Sequence, residues 1–233
     1  MKALFLGLAL LLTCADEPGA TPAPKAKGWI TRHEGFVEEA KKGGFEVLFQ
    51  GDSITDGWRN GPAKKIWDDL FAPLKAVNFG ISGDRTQHVL WRLQNGEFEG
   101  VTLPKVVVLM IGTNNIGQKD NPESPASAIA GVEAILKLIH QKSERTNVLL
   151  LTVFPRGQKP DDPLRAKVKE INAGISKLGD DRKTVKVLDI GDKFLEPDGT
   201  IAKEVMPDFL HLTAHGYQIW ADAIKEPLAE LLK

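Results

Sequence analysis

Cysteine is almost absent from this chain: there is one among 233 residues, Cys14, close to the N-terminus. That excludes a disulfide framework and a cysteine-based metal site from the folded part. An excess of charge of either sign is missing too. Thirty lysines and arginines meet thirty-one aspartates and glutamates, for a formal net charge of -1, so no broad field exists to hold a polyanion or to press the protein onto an acidic bilayer. The KK pairs at 41–42 and 64–65 are not interleaved with aromatics and read as solvated surface, so nucleic acid is not an expected partner. A long apolar run is also lacking. The leucine-rich stretch from Ala3 to Thr13 is closed off by Asp16, short of the roughly 20 residues that span a bilayer, and no transmembrane segment is expected. Preceded by Lys2 and ending near small residues, it reads as a signal peptide over 1–15, which implies export. Cleavage after Ala15 and lipid attachment at Cys14 are the two ways of processing it.

Residues 16–27 are rich in Pro, Ala, Gly and Lys without apolar periodicity, and read as a flexible tether. The rest, 28–233, has the size and apolar content of one domain with a full core. Five apolar runs of strand length recur: FEVLFQ (45–50), AVNFG (76–80), KVVVLMI (105–111), NVLLLTV (147–153) and TVKVLDI (184–190). Their unbroken apolar character suits parallel strands covered on both faces. Helical stripes lie between them. Ser124 and Pro125 form a cap and first-turn pair ahead of Ile129, Val132, Leu136 and Ile139; Leu164, Val168, Ile171, Ile175 and Leu178 repeat the spacing; Tyr217, Trp220, Ile224, Leu228 and Leu231 do so again behind Thr213. Strand and helix thus alternate, which predicts a doubly wound α/β fold, a three-layer α/β/α sandwich.

Ligands of such sheets bind at the carboxyl ends of the strands. Reading past the first four strands gives GDSIT (51–55), ISGDRT (81–86), GTNN (112–115) and FPRG (154–157). A serine at a tight strand-to-helix turn is exposed beside free backbone N–H groups, which suits a nucleophile with a developing oxyanion. Ser53 has that place, although GDS alone fits a helix-capping serine equally well. Gly83 lets backbone approach a ligand closely, and Asn114 offers a side-chain amide; with the N–H of Ser53 they make three donors for one negative oxygen. Each also fits an ordinary loop role. In DFLH (208–211), Asp208 can hold one ring nitrogen of His211 while the other faces the serine, and a capping aspartate beside a surface histidine is the alternative. His33, His88 and His140 read as surface or packing residues, and His215 lacks a carboxylate at the same spacing. Trp67 and Trp91 read as packing residues, whereas Trp58, in a polar loop beside Ser53, reads as a border of the cleft.

These blocks, in this order, resemble the SGNH hydrolase superfamily of GDSL-like esterases. The longer strings NFGISGDRTQHVLWRLQNGE (78–97), VVVLMIGTNN (106–115), PRGQKPDDPLR (155–165) and DFLHLT (208–213) are similar to the catalytic subunits of platelet-activating factor acetylhydrolase type Ib and their bacterial relatives. The resemblance implies a flavodoxin-like, five-stranded parallel sheet of order 2-1-3-4-5. It also implies Ser53 as nucleophile, Asp208 and His211 completing a triad, Gly83 and Asn114 as oxyanion-hole partners, no cofactor, no metal, and by analogy a homodimer. Ile54, Thr113, Leu210 and Trp58 are expected to contact substrate, the first three crowding the acyl chain, so a short, acetyl-sized acyl group is expected. The export signal and the long DGWRNGP loop depart from the animal pattern and shift the expected partner from a phospholipid to an acetylated carbohydrate or another small ester. A binding protein that keeps the fold without turnover is the alternative of a different class.

Overall fold

The computed structural model describes residues 17–179 and 183–233. The signal peptide read over 1–15, with Cys14, lies outside the described residues. Each apolar run of the sequence carries a strand: β1 (Val47–Gly51), β2 (Ala76–Asn78), β3 (Val106–Met110), β4 (Asn147–Leu151) and β5 (Val185–Leu188). They form one sheet in the order β2-β1-β3-β4-β5. Every neighbouring pair is parallel, with Val47 aligned between Ala76 and Val106.

The connections are helical: α1 (Lys27–Lys42), α2 (Ser53–Asp56), α3 (Gly61–Leu70), α4 (Thr86–Arg92), α5 (Thr113–Gly117), α6 (Pro125–Lys142), α7 (Pro163–Ile175) and α8 (Ala214–Leu231). Alternate strand residues sort into two cores, because successive side chains point to opposite faces of a sheet. Leu48, Val107, Leu109 and Leu150 pack under α1, α4, α6 and α7 through Phe36, Val89, Val132 and Ile171. Phe49, Val108, Met110 and Leu149 pack under α3 and α8 through Ala63, Trp220 and Ile224. The predicted caps form: Ser124 Oγ accepts from the Ser127 N–H and Thr213 Oγ1 from the Gly216 N–H, each supplying an acceptor to a helix end that has none of its own. Among the described residues no helix is long and apolar enough to cross a membrane.

The flexible tether expected over 16–27 is corrected for the part the structure describes. Pro18–Ala20 form a 3₁₀ turn against α6, where the Gly19 N–H donates to Ser127 Oγ (2.7 Å) and the Gly19 carbonyl accepts from Thr86 Oγ1 (2.9 Å). Farther along, the Ala23 N–H donates to the Gln87 carbonyl (3.2 Å). Two glycines allow this approach: a Cβ on Gly19 would lie 2.2 Å from the Ser127 carbonyl oxygen, and one on Gly131 would lie 2.4 Å from that of Gly19. Composition cannot register a fit between residues so far apart in the chain.

Trp220 is the centre of the second core. Its fully buried ring meets Trp58 at 5.1 Å and Phe154 at 5.2 Å between centroids. Trp220→Ala should cost about 3–5 kcal/mol of unfolding free energy, read as a lowered urea midpoint. A cost below about 1 kcal/mol would mean that this layer collapses onto the cavity.

Candidate active site

β1 ends at Gly51 and the chain turns at once into α2. A Cβ on Gly51 would sit 2.2 Å from Thr55 Oγ1 and 2.4 Å from the Met110 carbonyl oxygen, so this tight turn needs glycine. Asp52 caps α2, its Oδ1 accepting from the Ile54 N–H at 2.9 Å. The helix-capping role that the sequence left open to Ser53 is therefore taken by its neighbour, and the serine hydroxyl is free for something else. It meets His211: Ser53 Oγ and His211 Nε2 are 2.9 Å apart. As the first residue of α2, Ser53 also has an N–H without an intrahelical acceptor.

His211 stands in the loop before α8, and Asp208 organises that loop. Asp208 Oδ1 accepts from the N–H groups of Leu210 (3.1 Å) and His211 (2.8 Å), while Oδ2 lies 2.6 Å from His211 Nδ1. Phe209, between them, adopts φ 59°, a left-handed conformation costly for a residue with a side chain. The Gly157 N–H holds it by donating to the Phe209 carbonyl at 2.9 Å. Partial burial pulls the Asp208 carboxyl upward, but the hydrogen bonds from the His211 ring and backbone outweigh it and keep the group below the ordinary carboxylate value.

Gly83 lies in the loop after β2 at φ 76°, where a side chain would be strained. The loop is tied to α2 by Ser82 Oγ, which donates to Asp56 Oδ2 at 3.0 Å. Asn114, the second residue of α5, is buried and donates from Nδ2 to the Asp84 carbonyl at 2.9 Å. An amide carries two N–H groups, so one remains for a ligand. Hydroxyl, imidazole, carboxylate and the two loops that bear candidate oxyanion donors are thus brought to one rim of the sheet.

The walls differ from expectation. Trp58 does not border the cleft: it is fully buried, packed against Tyr217 at 4.4 Å and Phe71 at 5.3 Å between centroids. Ile54 is 1% exposed and belongs to the core under α2, because each helical step of about 100° turns the next side chain away from the face of Ser53. Thr113, also 1% exposed, has its hydroxyl and carbonyl taken up by Arg156 Nη1, both at 3.0 Å. Leu210 is half-buried and rests on the second core. The open cleft, about 430 Å³, is lined on its Ser53–His211 side by Asn60, Ser82, Leu212, Thr213 and Tyr217. Tyr217 is held there by donating to the Ile54 carbonyl at 2.7 Å. His33 and His88 are packing residues, the first bonded to Glu97 (3.1 Å) and the second accepting from the Arg85 N–H (2.9 Å). His215 is exposed on α8.

Asp52 and Arg156 escaped the sequence reading. The GDS block placed Asp52 beside the nucleophile candidate but gave no sign of its burial, and PRG gave no sign that its arginine reaches across to Thr113. A hydroxyl, imidazole and carboxylate are thus linked in that order on a flavodoxin-like, 2-1-3-4-5 parallel sheet. The chain belongs to the GDSL-like lipase/acylhydrolase family, whose model matches residues 49–219, and it is a hydrolase of that family. It is 40% identical over 206 residues to platelet-activating factor acetylhydrolase IB subunit alpha2 of Rattus norvegicus, covering 88% of this chain and 85% of that protein. A structure described as a putative platelet activating factor from Streptococcus pneumonia superposes with a TM-score of 0.71 at 25% identity, covering 85% of this chain and 92% of that one. The acetyl xylan esterase AlAXEase shares the fold with a TM-score of 0.67 at 22% identity, covering 78% of this chain and 98% of that one.

Burial pushes the Asp52 carboxyl up to about 7, overriding the Ile54 N–H, and the Asp84 carboxylate adds to the shift. Between the ordinary 3.8 and about 7 the folded chain keeps a proton that the unfolded chain has released, so stability falls as pH rises through this window. The Asp208 contribution has the opposite sign and is lost only as pH falls below 3.8. Asp52→Asn, uncharged throughout and still able to accept from Ile54, should flatten the decline of the urea midpoint between pH 4 and 7. An undiminished slope in that variant would assign the titration to another group.

Proposed function

We propose that the chain is a serine esterase that removes short, acetyl-sized acyl groups, with O-acetylated carbohydrate as its substrate class. One observation carries the reading: the relay in which Ser53 Oγ is 2.9 Å from His211 Nε2 and His211 Nδ1 is 2.6 Å from Asp208 Oδ2. Ser53 Oγ attacks the ester carbonyl carbon as its proton passes to His211 Nε2, and Asp208 stabilises the resulting imidazolium. The N–H groups of Ser53 and Gly83 and the Asn114 amide receive the tetrahedral oxyanion. Collapse breaks the bond to the alkoxy oxygen, which leaves with the proton from His211. Water then adds to the acyl-serine with His211 again as base, and the carboxylic acid departs as the Ser53 hydroxyl re-forms. The cycle needs no cofactor.

The short acyl group is supported by the kinship reported above. The relative at 40% identity carries "acetylhydrolase" in its name. The carbohydrate half rests on the open cleft, with polar Asn60, Ser82 and Thr213 on its wall, and on the export signal read from the sequence. A phospholipid acetyl ester is the second reading, favoured by that same 40% identity to a platelet-activating factor acetylhydrolase subunit.

A fluorophosphonate should label the wild-type protein covalently and fail to label Ser53→Ala; folded wild-type protein that resists labelling would indicate a binding protein instead. In an activated-ester series from acetate to octanoate, kcat/KM should fall with chain length, and flat or rising values would defeat the short-acyl assignment. Acetyl release from xylan but not from an acetylated phospholipid separates the two alcohol classes, and the reverse pattern selects the second reading.

A further inference from the structure

Gly83 is the donor that local structure holds least. It has no side chain to pack, and its φ of 76° is one that glycine enters and leaves readily. Its orientation is set by bonds to the peptide that follows. The Gly83 carbonyl accepts from Lys25 Nζ at 3.0 Å and from Gln118 Nε2 at 2.9 Å, and the Asp84 N–H donates to the Ile81 carbonyl at 3.1 Å. The next carbonyl, that of Asp84, accepts from Asn114 Nδ2 at 2.9 Å. Both candidate oxyanion donors outside Ser53 therefore depend on where the 83–84 segment lies.

Lys25 is the one member of this set that comes from ahead of α1. Its ammonium also lies 3.7 Å from Asp84 Oδ1, and its side chain is 29% exposed. The backbone that delivers it is fixed on α4 and α6 by the Gly19–Ser127, Thr86–Gly19 and Ala23–Gln87 hydrogen bonds. Asp84, in turn, is fully buried and accepts at 2.7 Å from Nε1 of Trp29, in the first turn of α1 and four residues after Lys25. A lysine on a free tether would spend most of its time in water, because ordering its long side chain costs conformational entropy. Here the tether is docked, and the lysine is held over the loop.

We propose that residues 17–26 act as a strap whose Lys25 is a positioning residue for catalysis, aiming the Gly83 N–H and, through Asp84, the Asn114 amide at the developing oxyanion. The proposal rests on the esterase reading given above. Lys25 touches neither substrate nor reacting atoms; it works through the Gly83 carbonyl. A hydrogen bond from a charged donor is stronger than one between neutral groups, and oxyanion donors act chiefly in the transition state. Losing Lys25 should therefore lower kcat and leave KM in place.

The test compares the full chain with Lys25→Met, Lys25→Gln and Lys25→Arg, using an activated acetate ester and a fluorophosphonate. The expected result is a fall in kcat of about 10-fold in Lys25→Met and Lys25→Gln, with KM within about 2-fold and the melting temperature near that of the wild type. The rate of Ser53 labelling should fall by the same factor, because the phosphonyl oxygen uses the same donors. Arginine, which keeps a cationic donor of similar reach, should restore most of the rate. A Lys25→Met or Lys25→Gln protein that labels and turns over at the wild-type rate overturns the strap alone. A loss that tracks the melting temperature and is not restored by arginine overturns it in favour of a purely structural role. Absence of Ser53-dependent labelling in the wild type overturns both the strap and the esterase reading beneath it.

Discussion

Arg92 is fully buried, and its guanidinium joins the parts of the molecule that the site depends on. Its Nη1 donates to Glu97 Oε1 at 2.7 Å and to the Phe79 carbonyl at 2.9 Å, and its Nε donates to Asp84 Oδ2 at 3.1 Å. Glu97 also accepts from Gln50 Nε2 on β1 at 2.8 Å and is bonded to His33 on α1 at 3.1 Å. Burial raises the Glu97 carboxyl, but Arg92 and the hydrogen bonds from His33 and Gln50 together outweigh it and hold the group below the ordinary carboxylate value. Removing one partner from such a cluster leaves an uncompensated buried charge, which is far more costly than never having built it. The end of β2, β1, α1 and the loop carrying Gly83 are thereby locked to one another.

On this platform the labour within the GDS block is divided. Asp52 caps α2 and is itself buried, with Oδ2 lacking a hydrogen-bond partner among the described residues. An unsatisfied buried oxygen is costly, and its position next to Ser53 marks a place where local stability is lower than the packing alone would allow. The aspartate's cap leaves the serine hydroxyl uncommitted, so that His211 can take it. A similar exchange occurs at Phe209, whose left-handed backbone lets the Asp208 carboxylate face both the backbone of its own loop and the imidazole. Strain of this kind persists where surrounding bonds over-determine the conformation, and the Gly157 N–H provides one of them.

The N-terminal stretch belongs to the same economy of contacts. It closes the outer side of α4 and α6 and ends by placing an ammonium on the Gly83 carbonyl. What looks in composition like a spacer is part of the wall behind the candidate oxyanion hole. The cleft in front is bounded by Asn60, Ser82, Leu212 and Thr213, whereas the larger apolar residues near Ser53 belong to the core.

The strands, the long helices and their caps were legible in the sequence because their signals are local: an apolar run, a spacing of three or four, a serine before a proline. Ser53 was legible as a candidate because it sits at a strand-to-helix boundary, and Asp208 and His211 because they stand three apart in the loop before α8. The α/β class follows from the alternation of strand and helix, and with it the rim of the sheet where the candidate site lies. Tertiary structure decided the rest. Whether a side chain beside Ser53 faces solvent or core depends on the rotation of a four-residue helix and of the 3₁₀ turn that follows it, and Ile54 and Trp58 turned inward. Whether residues 17–26 drift or dock depends on two glycines meeting across more than a hundred residues of chain. The burial of Asp52 and the reach of Arg156 and Lys25 likewise arise from neighbours distant in sequence, because burial and long-range hydrogen bonding are properties of the packed assembly and leave no periodic trace in the segments that supply them.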